Sequence, residues 1–99
     1  MDVITMNEGK NYTLKVQGRV DTITAPDLEK AIASIMEDAD KIVLDLEKLE
    51  YVSSSGLRVL LSTHKMMMAK GGLTITNVNK SVMEVFDITG FSSALTIEK

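Results

Sequence analysis

Residues 41–61 read KIVLDLEKLEYVSSSGLRVLL. The first part, Lys41-Ile42-Val43-Leu44-Asp45-Leu46, is a short β-branched apolar run after a charged turn. Such a run predicts an interior strand covered on both faces, at the centre of a sheet. In the last part, Leu57, Leu60, Leu61, His64 and Met68 fall on one helical stripe that ends near Gly71-Gly72, which predicts the longest helix of the chain. A buried strand that feeds a long helix through a polar junction is half of a strand–helix–strand crossover, so the chain reads as α/β.

The same alternation extends in both directions. Val3-Ile4-Thr5-Met6 and Tyr12-Thr13-Leu14-Lys15-Val16-Gln17 predict two strands, the second with the period of two expected of a half-buried strand. Between them, Asn7-Glu8-Gly9-Lys10-Asn11 supplies turn residues, so the opening pair is expected to be an antiparallel hairpin. Thr24-Ala25-Pro26-Asp27 predicts a helix start, with the Thr24 hydroxyl placed to accept from a free backbone N–H and proline in the first turn. Leu28, Ala31, Ile32, Ile35 and Ala39 continue that helix as one apolar face. Downstream, Leu73-Thr74-Ile75-Thr76-Asn77 alternates as a strand, Asn79 can cap a helix carrying Val82, Val85 and Phe86 that stops near Gly90, and Leu95-Thr96-Ile97 predicts a last strand. The order β-β-α-β-α-β-α-β implies a mixed sheet, because crossovers return parallel while the hairpin is antiparallel.

Ninety-nine residues match one core, so residues 1–99 are expected to form a single domain. With 44% hydrophobic and 25% charged residues, neither a disordered nor a fibrous chain is expected. No apolar stretch approaches the roughly 20 residues of a spanning helix, and Met1-Asp2-Val3-Ile4 lacks the basic lead of a secretory signal. Zero cysteines remove disulfides, thiolate nucleophiles and cysteine metal sites, in keeping with a cytoplasmic protein. A net charge of -3 gives no broad basic field, so nucleic acid binding is not expected, and without a long apolar stretch membrane insertion is not expected either.

Enzyme chemistry loses its usual supports. His64 is the sole histidine, about ten residues beyond the serines and thus roughly 15 Å away along a helix, too far to serve them as a base. Acidic residues are scattered, and no glycine-rich phosphate motif is present; no catalytic residue, metal or cofactor is expected. The unusual feature is Ser53-Ser54-Ser55-Gly56. One reading is structural: one serine caps the helix and the others sit in a loop. The other is functional: an exposed hydroxyl at a helix N-terminus is where an added phosphate would meet free N–H groups and the helix dipole, converting a neutral surface into a strongly anionic one.

Leu44 to Leu61 closely resembles the signature of the STAS domain, the sulphate transporter and anti-sigma factor antagonist family. Gly18-Arg19-Val20-Asp21 followed by Thr24-Ala25 resembles the family's Gly-x-apolar-Asp segment before its first helix, and Val85-Phe86-Asp87-Ile88-Thr89-Gly90-Phe91 resembles its last-helix ending. The resemblance implies a mixed four- to five-stranded sheet with helices mainly on one face. A free single domain of this size is similar to a bacterial anti-sigma factor antagonist. That implies partner switching: the unmodified antagonist binds an anti-sigma factor that is a serine kinase and so releases the sigma factor, phosphorylation by that kinase ends binding, and a phosphoserine phosphatase restores it. The family motif Asp-Ser-[Ser/Thr/Ala]-Gly-Leu places the acceptor at Ser54, with Ser53 where many members have Asp and with Ser53 and Ser55 as alternative acceptors. An alternative within the family is a scaffold subunit of a transporter ATPase or sensory complex that is not phosphorylated.

The resemblance places the partner surface at Asp21, Thr22, Ser53, Ser54, Ser55, Gly56 and Arg58. Asp21 also reads as a plain turn residue, and Arg58 as an ordinary exposed arginine one turn beyond Ser54. At least one of Met66, Met67 and Met68 must face the core. His64 is expected to be packed or hydrogen-bonded within its helix, and Lys65 and Lys70 are expected to complement the dipole at its end.

Overall fold

The computed structural model describes residues 1–98. The opening hairpin forms as expected, from β1 (Asp2–Glu8) and β2 (Asn11–Val20), antiparallel with Val3 opposite Val16 and Glu8 opposite Asn11. The turn is therefore only Gly9-Lys10, tighter than the five residues expected, and β2 runs three residues past Gln17. Helix α1 (Ala25–Met36) leads to β3 (Lys41–Asp45), and a short strand β4 (Leu49–Val52) precedes α2 (Ser54–Met67). Then follow β5 (Leu73–Thr76), α3 (Lys80–Thr89), the four-residue α4 (Phe91–Ala94) and β6 (Ile97–Glu98). Among the described residues the sheet has six strands, in the order β1-β2-β3-β5-β6 with β4 also paired to β2. The four to five strands expected lacked β4, and the last strand lies two residues later than Leu95, which is buried instead. Lys99 lies outside the described residues.

β3 is central, parallel to β2 on one side and to β5 on the other. Leu14, Val16, Ile42, Leu44, Leu73 and Ile75 are buried on one face of the sheet, under the helices. Their neighbours Lys15, Val43, Asp45, Thr74 and Thr76 stay partly or fully exposed on the other. β3 is thus covered on one face, which corrects the expectation of two: the apolar run is continuous, but the helices pack on one side only.

Both loop-terminated helix ends of α3 follow their sequence signals. Asn79 Oδ1 accepts from the Val82 N–H at 2.9 Å while its amide donates to the Leu49 carbonyl at 2.6 Å, and Gly90 ends the helix in the left-handed region. α1 departs from its signal, because Thr24 makes no side-chain cap. The end of α1 is closed from a distance. Lys70 Nζ donates to the carbonyls of Met36 and Ala39, so it satisfies α1 and not the end of its own helix.

The strand β4 was not legible, yet it positions the site. β2 pairs with β3 through Lys15 and then, at Gly18, with φ near +88°, shifts register and pairs in parallel with β4, Val20 opposite Val52. A left-handed residue in a strand marks a bulge, where glycine alone is unstrained. The bulge redirects the end of β2 so that the segments leaving β2 and β4 emerge side by side.

Candidate functional site

Two adjacent strand ends build the site. Val20 leads into Asp21-Thr22-Ile23-Thr24 and Val52 into Ser53-Ser54-Ser55, and the two are tied where the Ser53 N–H donates to the Val20 carbonyl at 2.8 Å. The parallel register of β2 and β4 therefore brings together Asp21, Thr22 and the serines, residues about 30 apart in sequence. Such loops at the carboxyl ends of strands are common places for binding.

In the first loop, Asp21 Oδ1 accepts from the N–H groups of Ile23 and Thr24, both at 3.0 Å. Thr24 Oγ1 accepts from the Asp21 N–H at 2.9 Å and shares its single proton between the Arg19 carbonyl at 2.9 Å and Asp21 Oδ1 at 3.1 Å. Thr24 thus braces the loop instead of capping α1, and the Asp21 carboxylate closes the turn before the helix while its backbone carbonyl takes the Ala25 N–H. The Thr24 N–H foremost, then the Thr24 hydroxyl, the Ile23 N–H and the Arg19 guanidinium, hold the Asp21 carboxyl below the ordinary carboxylate range against partial desolvation. A carboxyl with a depressed folded-state pKa contributes stability that is complete above its unfolded value near 4 and is lost as pH falls through the folded value. Asp21→Asn, which keeps an acceptor but no charge, should therefore be less stable than the parent at pH 7. The difference should stay constant down to about pH 5 and shrink below about pH 4, as urea midpoints measured between pH 7 and pH 3 would show.

The second loop is shorter than expected, because α2 begins at Ser54, three residues before Leu57. Ser53 is the N-cap, with Oγ accepting from the Gly56 N–H at 3.3 Å. Serine is among the residues that cap helix N-termini best, so Ser53 is held in a structural role at the start of α2. Ser54 occupies the first helical position and is exposed, whereas Ser53 and Ser55 are partly buried. In this first turn the N–H groups of Ser54 and Ser55 have no intrahelical acceptor. Ser55 shares an open cleft between α1 and α2 with Thr22, Pro26, Glu29 and Arg58, and Arg58 is exposed.

Gly56 fixes how α2 sits. A Cβ built there would lie 2.7 Å from Val52 Cγ2 and 2.8 Å from Val20 Cγ1, so the helix start rests directly on the two strand ends. With Gly56 facing the sheet, the buried set of α2 is Gly56, Leu57, Val59, Leu60, Thr63 and Met67. The expected stripe through Leu61, His64 and Met68 is rotated: Leu61 and His64 are half-buried and Met68 is exposed. Thr63 satisfies its hydroxyl on the Val59 carbonyl at 2.7 Å. His64 is packed without a hydrogen bond at Nδ1, and Met67 is the methionine of the three that enters the core.

Arg19 and Tyr51, opposite each other on β2 and β4, stack with the guanidinium 4.4 Å from the ring centroid. Ile23, beside Asp21, is 84% exposed. Sequence reasoning passed over both this pair and Ile23. An isoleucine in an otherwise polar turn was the available signal for Ile23; the stacking depends on the β2–β4 register and had none. No group of three or more His, Cys, Asp or Glu side chains among the described residues could hold a metal ion. None of the helices described is long and apolar enough to cross a membrane.

The STAS domain family model matches residues 4–99. The Bordetella bronchiseptica protein BtrV is 37% identical over 84 residues, which make up 83% of this chain and 72% of that one. The anti-sigma-B factor antagonist of Bacillus subtilis is 29% identical over 95 residues, 95% of this chain and 86% of its own. Among solved structures, the anti-sigma factor antagonist SpoIIAA in its unphosphorylated form superposes with a TM-score of 0.82 at 18% identity, covering 99% of this chain and 89% of that one. Its phosphorylated form, from Bacillus, gives 0.75 at 17% identity, covering 99% and 92%. At these identities the structural matches speak to the fold.

Proposed function

The chain belongs to the STAS domain family, and from that premise we propose that it is an anti-sigma factor antagonist switched by phosphorylation of Ser54. The unmodified form binds an anti-sigma factor kinase through the Asp21-Thr22 loop and the start of α2, with Ser53, Ser54, Ser55, Gly56 and Arg58 at the contact. The kinase phosphorylates Ser54, the complex falls apart, and a phosphatase resets it. The protein acts by binding and not by catalysis, in the cytoplasm and as a single domain, without a cofactor.

The observation that carries this reading is the division of labour among three adjacent serines. Ser53 is occupied as the cap, Ser55 is turned partly into the cleft, and Ser54 stands exposed at the first helical position. A phosphate there would have the helix dipole and free first-turn N–H groups within reach, so the modified chain stays folded. The relatives named as antagonists and the existence of SpoIIAA in phosphorylated form support the same reading.

Intact-mass spectrometry of the protein from its own cells, with mapping of the peptide that carries Ser53-Ser54-Ser55, tests it. A fraction heavier by one phosphate is expected, with the phosphate on Ser54 and absent from Ser54→Ala. Phosphate mapped to Ser53 or Ser55 would move the acceptor. No phosphate across several growth conditions would favour the unphosphorylated scaffold subunit.

A further inference from the structure

We propose that Ile23 is the apolar anchor by which the chain seats in its anti-sigma factor partner, entering a small aliphatic socket beside the surface that receives Ser54. The inference rests on the antagonist reading above and names a contact that neither the serine junction nor the family motif identifies.

The fold gains nothing visible from isoleucine at this position. Turns favour Gly, Asn, Asp and Ser for backbone reasons, and Ile23 is 84% exposed while its apolar neighbours Val20, Ala25 and Leu28 are at most 3% exposed. A single exposed apolar residue is ordinary on any surface; what distinguishes this one is its rigidity and its place. The Ile23 and Thr24 N–H groups both donate to Asp21 Oδ1, and the Ala25 N–H donates to the Asp21 carbonyl at 2.8 Å. The backbone on which the side chain stands is therefore fixed before any partner arrives, and a β-branched side chain has few rotamers to lose. Both reduce the ordering cost that usually offsets burial on binding.

Its place is the same strand-end platform as the serines. Ile23 follows Thr22, which lines the cleft with Ser55 and Arg58, and its loop leaves Val20, whose carbonyl accepts from Ser53. The other strongly exposed apolar side chains, such as Ile88, Met68 and Met6, stand on α3, the far end of α2 and β1. Tyr51 is the other large exposed apolar side chain near this end of the strands, and it is engaged with Arg19. An aliphatic peg on the loop that neighbours the serine loop fits a partner with an apolar socket near a close-packed, uncharged floor. The peg supplies affinity and the hydroxyl supplies the switch, since a few side chains seated in well-packed, desolvated pockets carry most of the binding energy of a contact.

The test titrates the wild-type chain against each anti-sigma factor kinase encoded in its source genome and takes the one that binds. Ile23→Ala should weaken that complex about ten- to a hundredfold, as expected for an aliphatic side chain whose burial is lost. Ile23→Val should lose no more than about fourfold, and melting midpoints should be unchanged in both. Ile23→Ala binding as wild type while Ser54→Asp does not bind would overturn the anchor and leave the switch standing. A melting midpoint that falls together with affinity would also overturn it, by showing that Ile23 serves the fold. Absence of binding by the wild type and Ser54→Ala to every such kinase would overturn the inference along with the reading beneath it.

Discussion

Gly56→Ala is expected to destabilise the protein by about 2 kcal/mol and to lower its melting midpoint by roughly 10 °C, although alanine is the better helix former. On propensity alone the substitution would gain up to about 1 kcal/mol within a helix. The added Cβ would stand 2.7 Å from Val52 Cγ2 and 2.8 Å from Val20 Cγ1, closer than carbon atoms approach. Val20 and Val52 are themselves buried ends of the paired strands β2 and β4, so neither can swing into solvent. The first turn of α2 must lift instead, which strains the Ser53 cap and the bond from Ser53 to Val20. Overpacking of this kind outweighs propensity because the strain falls on a closely packed interior. A double-mutant cycle identifies the cause. Val52→Ala should cost less in the Gly56→Ala background than in the wild type, and strict additivity would mean that the two side chains do not compete for the same space.

Gly56 also shows why parts of the chain were legible and others were not. The hairpin, the central β3 and the caps of α3 follow from turn residues, a β-branched run, Asn79 and Gly90, signals confined to a few neighbouring positions. The rotation of α2 is different in kind: counting apolar residues selects Leu57, Leu60, Leu61, His64 and Met68, but a residue with no side chain takes the place nearest the sheet and turns the helix about its axis. β4 escaped for a related reason. Leu49 and Val52 are buried while Glu50 and Tyr51 are exposed, a pattern without the period of two, and its pairing depends on the backbone of Gly18 some 30 residues away. Likewise nothing near Lys70 announces that it closes α1. Of the candidate site, the serines stand out in the sequence as three hydroxyls before a glycine at a helix start, and Asp21 and Thr22 are proposed through the motif resemblance, whereas Ile23 has no such signal, because its significance lies in which loop it shares an edge with.

If the proposed anti-sigma factor kinase is the partner, Ser54→Asp is expected to lose binding to it by a hundredfold or more, while Ser54→Ala binds within about threefold of the unmodified chain. Two effects of the introduced charge oppose each other. In the free protein a carboxylate at the first position of α2 is favoured by the helix dipole, by about 0.3–1 kcal/mol. In the complex the same charge must be stripped of water between two close surfaces, which costs several kcal/mol unless a cation meets it. Desolvation outweighs the dipole, so binding falls even as the free fold is strengthened. That opposition gives the experiment its discrimination. Ser54→Asp should melt at or above the wild-type midpoint in the same preparation that fails to bind, which separates a charge switch from simple unfolding. Phosphate, with close to two charges at neutral pH, should produce the same pattern more strongly. Ser54→Asp and Ser54→Ala binding equally well would remove Ser54 from the interface.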